Sequence, residues 1–158
     1  MTTSTEKEFL TKAYAAAVAA QHVFPEMAAC EAALESGWGL SELATKANNL
    51  FGQKQAVHPQ FGTLILPTKE FLGGKWITED ADWVSFPTVA DCFTARMATL
   101  ERLAPQYPHY AAALAAKTPE EYVTQVSMSW STDPQRAAKC IETYRAHAEV
   151  FPPDHALI

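Results

Sequence analysis

The stretch from Gln55 to Pro87 does most to restrict what this chain can fold into. It places short β-prone runs, Thr63–Leu66, Lys69–Leu72, Lys75–Thr78 and Trp83–Phe86, among turn-forming glycines and prolines. Gly73-Gly74 separates two of these runs and is a hairpin signal, because glycine accepts the positive φ angles of a tight turn. A ribbon of about thirty residues cannot bury a core of its own. The segment, about residues 55–87, therefore predicts a small, twisted antiparallel flap carried by a larger body.

Both flanks are helical in pattern. Thr5 to Val23 reads as a first helix, with Phe9, Tyr14 and Val18 on its apolar side and Glu6 and Glu8 near its N-terminus. Pro25 suits the start of a second helix, whose apolar line Met27, Cys30, Leu34 stops at Gly37. Ser41 is placed to cap a short third helix. After Thr88 the apolar spacing of Val89, Cys92, Phe93, Met97 and Leu100 predicts a further helix, and 106–117 another. Thr118-Pro-Glu-Glu121 has the form of a capping box, and Ser131-Thr-Asp-Pro134 is read as opening a last helix that ends near Val150, before Phe151-Pro-Pro153. The fold class expected is α+β, mainly α, as a single domain over residues 1–158, a length that can bury a real core.

Hydrophobic residues make up 48% and charged residues 19%, which marks a globular chain. The formal net charge of -6 gives no basis for general binding to nucleic acid phosphates. The apolar run Ala13–Ala20 is too short and alanine-rich to span a membrane, and no basic segment precedes it as in a secretory signal. Cys30, Cys92 and Cys140 fit no zinc spacing and lie in helical, apolar contexts, so three buried free thiols are expected, with one disulfide as the alternative. The histidines (His22, His58, His109, His147, His155) form no ligand pair. No phosphate-binding glycine loop and no nucleophile elbow is present, and neither a metal nor a cofactor is expected.

One carboxylate stands out. Glu35 falls in the last turn of the second helix, where unpaired carbonyls disfavour negative charge. Glu31 lies one turn earlier, and a like charge at that spacing acts in the same direction. Trp38 is positioned to add an apolar wall. A carboxyl group kept protonated is what a general acid needs; the alternative is an ordinary solvated glutamate. Asn48 and Asn49 follow, with Phe51, in a loop where carboxamides either orient sugar groups or simply end a helix. If a second carboxylate takes part, the flap offers Glu70, Glu79, Asp80 and Asp82, and Glu70 alone lies on a β-prone run.

The block Ala32-Ala-Leu-Glu-Ser-Gly-Trp-Gly39 followed by Asn48-Asn-Leu-Phe-Gly52 resembles the central motif of the glycoside hydrolase family 73 glucosaminidases. Thr68-Lys-Glu-Phe71 and Ser131-Thr-Asp-Pro134 are similar to two later blocks of that family, in the same order. The resemblance implies a lysozyme-like fold with a sugar cleft between helical lobe and flap, and hydrolysis of the β-1,4 bond after N-acetylglucosamine in peptidoglycan. It implies Glu35 as general acid and Glu70 as second carboxylate, with Trp38, Asn48, Asn49, Phe51, Phe71 and Trp130 about the substrate. Trp130 and Arg136 replace tyrosines of the family, and Trp83-Val-Ser-Phe86 replaces a segment containing arginine. A muramidase, a lytic transglycosylase and a non-catalytic glycan-binding module are the rival readings. A monomer acting on glycan strands in the periplasm or cell wall is expected, exported by a specialised system or released by phage lysis. An immunity protein would be its partner if it serves as an effector.

Overall fold

The computed structural model describes residues 4–152; Pro153 and His155 of the sequence analysis lie outside that range. Among the described residues, seven helices and one hairpin follow in the order α1 (Ser4–Ala19), α2 (Pro25–Ser36), α3 (Glu42–Ala47), β1 (Gly62–Leu72), β2 (Lys75–Ser85), α4 (Val89–Leu103), α5 (Pro108–Leu114), α6 (Pro119–Trp130) and α7 (Arg136–Ala146), with a short 3-10 turn at Ala148–Val150.

The second helix is the axis of the molecule. Met27 through Ala33 are all buried, so the middle of α2 is enclosed on every side, with α1, α6 and α7 packed around it. Its alanines, Ala28, Ala29, Ala32 and Ala33, have no bulk to hold those neighbours away. Pro25 opens α2 and Gly37 closes it in the left-handed conformation, donating its N–H to the Ala33 carbonyl. Trp38 and Gly39 are left-handed as well, which turns the chain sharply just after Glu35. At Gly39 a Cβ would meet the Phe9 ring at 3.0 Å, so that turn admits no side chain without displacing the aromatic ring. Ser41 caps α3 by accepting the Ala44 N–H, as its position predicts.

The flap is one antiparallel hairpin turning at Gly73-Gly74, with Gly62 opposite Ser85 at its base and Leu72 opposite Lys75 at its tip. The four β-prone runs merge into two strands of 11 residues each. Pro67 is accommodated because a two-stranded sheet consists only of edge strands. The base is pinned: Asn48 donates to the Phe86 carbonyl, Phe86 N–H to Ala47, and Val84 N–H to Gln53. The tip is exposed, and Phe71 packs edge-on against Trp76 across the ladder with ring centroids 5.3 Å apart.

Elsewhere the helix ends depart from expectation by up to four residues, α1 stopping at Ala19 and α7 at Ala146. Thr118 caps α6 by accepting the Glu121 N–H, while the Glu121 carboxylate reaches back to Lys117 N–H instead of the cap residue. α7 begins at Arg136 and not at Pro134, because the Asp133 carboxylate takes the Gln135 N–H in a turn before the helix. All three cysteines are free and buried, as expected. No helix among the described residues is long and apolar enough to cross a membrane.

Candidate active site

Beneath Glu35 lies a buried charge network. Glu31 is completely enclosed and is gripped by two arginines. Arg96, from α4, donates through both terminal nitrogens, Nη1 to Oε1 at 3.0 Å and Nη2 to Oε2 at 2.8 Å. This is the bidentate geometry in which a guanidinium binds a carboxylate most strongly. The Tyr122 hydroxyl donates to Oε1 as well. Arg136 approaches from α7, its Nη2 2.8 Å from Glu31 Oε2 but off the hydrogen-bonding direction, so that contact is ionic rather than a directed bond. Burial alone would push the Glu31 carboxyl up. The charges of Arg96 and then Arg136 outweigh it and hold the group at about 2.

Arg136 also joins Glu31 to Glu35. Its Nη1 donates to Ser127 Oγ at 2.9 Å and its Nε donates to Glu35 Oε2 at 3.2 Å. Arg136 is buried, whereas a quarter of the Glu35 side chain reaches solvent. Glu35 is thus the outermost member of a chain of alternating charges, Arg96, Glu31, Arg136, Glu35. The expectation that Glu31 would set an unopposed like charge against Glu35 is corrected here, because two guanidinium groups neutralise it. The last turn of α2 is also less bare than its position implies. Ala33 O accepts from Gly37 and Trp38, and Ala32 O accepts the Ser36 hydroxyl.

The Arg96 guanidinium is stacked between two rings, 4.5 Å from the Phe51 centroid and 4.2 Å from that of Trp130. Phe51 is core, packed edge-on against Phe93 as well, and not exposed to a substrate. Trp130 remains partly exposed at the end of α6, with Tyr110 beside it. Sequence reading assigned neither arginine to the site. Arg96 carried a usable signal, since it falls on the apolar stripe of α4 between Cys92 and Leu100, and a charge on such a stripe must find a partner.

The remaining candidates divide. Asn49 is buried and fully used: its amide donates to the Gln53 and Val84 carbonyls and its oxygen accepts the Gln53 N–H. Asn48 caps α3 in the left-handed conformation and donates to Phe86 O. Both carboxamides brace the flap against the helical body, which leaves Asn49 no group for a sugar. Trp38 packs on Phe9 and His147. Glu70 lies on the more sheltered face of the hairpin with Leu64, Leu66 and Trp83, and its ion-pair partner among the described residues is Lys54 at 3.6 Å. Lys54 bridges to β2 and lies over the Trp83 ring. Phe71 points to the opposite face from Glu70, as strand alternation requires. Among the described residues no group of three His, Cys, Asp or Glu is placed to hold a metal ion.

The glucosaminidase family model, described as mannosyl-glycoprotein endo-beta-N-acetylglucosaminidase, matches residues 11–149. The chain belongs to this glucosaminidase family. The glucosaminidase domain is 29% identical over 123 residues to a probable N-acetylmuramidase of Lactococcus lactis, covering 75% of this chain and 28% of that protein. It thus spans under a third of the length of such curated relatives. A shorter match, 64% identical over 33 residues, is to an exo-glucosaminidase of Bacillus subtilis and covers 21% of this chain and 12% of that enzyme. Among solved structures, the glycoside hydrolase domain of Salmonella typhimurium FlgJ superposes with TM-score 0.72 at 26% identity, over 91% of this chain and 98% of that one. The catalytic domain of the autolysin Auto from Listeria monocytogenes superposes with TM-score 0.80 at 21% identity, over 95% and 88%. The lysozyme-like architecture of helical lobe and flap is therefore that of known peptidoglycan hydrolases.

Proposed function

We propose that this glucosaminidase domain hydrolyses peptidoglycan glycan strands at the β-1,4 bond after N-acetylglucosamine, with Glu35 as general acid. The observation that carries the reading is the placement of Glu35. It lies in the last turn of a helix buried from Met27 to Ala33, keeps one side to solvent, and is held from beneath by a buried cation. A general acid must combine accessibility with a fixed direction, and Glu35 offers both. Glu70, carried on the flap, supports a second-carboxylate role, either activating water or stabilising charge at the anomeric carbon. Trp130, partly exposed and fixed by Arg96, is the aromatic surface suited to stack on a sugar ring. The family's relatives support the cell wall as the place of action.

A muramidase reading stands second, because the Lactococcus relatives carry that name. Digestion of purified peptidoglycan separates the two. N-acetylglucosamine at the new reducing ends supports our reading, N-acetylmuramic acid ends would replace it by the second, and 1,6-anhydro ends would indicate transglycosylation. Glu35→Gln should lower turnover on the order of 10²- to 10⁴-fold. Full activity in that variant would refute the assignment of the acid.

A further inference from the structure

We propose that Arg136 is the positioning residue for Glu35, and that it determines which oxygen of the Glu35 carboxyl group carries the catalytic proton. The inference rests on Glu35 being the general acid. Arg136 Nε–H points at Oε2 of Glu35 from 3.2 Å. Arginine remains protonated at any relevant pH and has no acceptor atom. The carbonyl oxygen of a protonated carboxyl group accepts an N–H better than its hydroxyl oxygen does, so the Arg136 contact at Oε2 favours the hydrogen of protonated Glu35 on Oε1. Oε1 then becomes the acid's working atom, and Oε2 serves as its anchor.

The anchor is itself held in place. Arg136 is almost wholly buried, with Nη1 bound to Ser127 and Nη2 against Glu31. Glu31 in turn is fixed by Arg96 and Tyr122. The groups facing Arg136 and Glu35 thus come from α2 (Glu31), α4 (Arg96, through Glu31) and α6 (Ser127, with Tyr122 on Glu31). Motion of the guanidinium would break contacts to two other side chains, so the rotamer of Glu35 inherits the rigidity of the core. A side chain with a single O–H donor, such as tyrosine, could not bind Glu31, Ser127 and Glu35 together.

The test compares wild type with Arg136→Met, Arg136→Lys and Glu35→Gln, using soluble glycan strands released from peptidoglycan, with thermal melting to establish that each variant is folded. If Arg136→Met does not fold, Arg136→Gln takes its place under the same criteria, since Arg96 still neutralises Glu31 and the carboxamide keeps a donor in the buried site. Misplacing an acid without removing it should lower kcat on the order of 10- to 100-fold while KM stays within about twofold. Arg136→Lys, which keeps a cation beside Glu35, should fall between methionine variant and wild type. A folded methionine variant with kcat within about threefold of wild type overturns the inference, as does a lysine variant no better than methionine. Full activity in Glu35→Gln would instead overturn the catalytic assignment on which it rests.

Discussion

Replacing Glu31 by glutamine removes one charge from a site where four alternate, and its effect can be derived in two independent ways. The substitution keeps the size of the side chain and an acceptor for Tyr122, but leaves Arg96 and Arg136 buried beside each other without their shared anion. Breaking a buried pair by removing one partner costs about 3–5 kcal/mol. The shift of the Glu31 carboxyl from 4.5 to about 2 corresponds to roughly 3 kcal/mol of stability at neutral pH. For a domain of this size each kcal/mol moves the Tm by roughly 2–4 °C, so Glu31→Gln should melt on the order of 10 °C below wild type at pH 7. The sign with pH is fixed. A depressed carboxyl stabilises the fold above its unfolded value of 4.5 and loses that contribution as pH falls towards 2, so the gap between the two proteins should narrow below pH 4.5. Thermal or urea melts from pH 7 to pH 3 read both effects. A gap under about 1 kcal/mol at pH 7, or one that widens on acidification, refutes this account of the network.

Other outcomes follow from the same structure. His22 is buried, donating through Nδ1 to Val23 O and offering Nε2 to Arg96; burial first, then Arg96, lowers it to about 4. Between pH 6.5 and 4 the unfolded chain binds a proton that the folded one excludes, so wild type should lose stability across that window, and His22→Gln should show a flatter urea-midpoint profile. Asn49→Ala strands the Gln53 N–H and two carbonyls and should cost about 2–3 kcal/mol, read as a lower urea midpoint; a neutral result would mean that the flap base is braced elsewhere. Glu70→Gln should reduce turnover with little change in Tm, because its contact with Lys54 is solvent-exposed; an unchanged rate would remove Glu70 from the mechanism. Burial pushes the Cys92 thiol up to about 11 and Cys140 up to about 12, and raises Cys30 too. A thiol reagent should therefore label none of the three in the native state and all of them in denaturant.

Local signals carried most of the fold. Pro25 and Gly37 bracket α2, Ser41 and Thr118 cap where their positions predict, and Gly73-Gly74 turns the hairpin, since each acts on its own backbone within a few residues. The joining of four β-prone runs into two continuous strands was hidden, because ladder pairing carried each strand through weak positions such as Pro67. In the site, the motif drew attention to Glu35 but did not disclose the packing tasks of its neighbours. Asn49 and Phe51 lie within the motif because the flap must be pinned and the core filled. The arginines were hidden for a different reason: Arg96 lies 65 residues from Glu31 and Arg136 lies 101 from Glu35, and no local pattern links such positions.

The buried charges also limit how this domain can change over generations. With both glutamates ionised, Glu31, Glu35, Arg96 and Arg136 sum to zero, and three of the four have essentially no access to water. Replacing Glu31 or Arg96 alone by a neutral residue leaves a charge stranded in the core, so a lineage departing from this pair would have to cross an unstable intermediate. Substitutions at positions 31 and 96 should therefore arise as matched pairs among related domains, switching between a charged pair and a neutral one. Glu35, with its opening to solvent, is free of that constraint and answers only to chemistry.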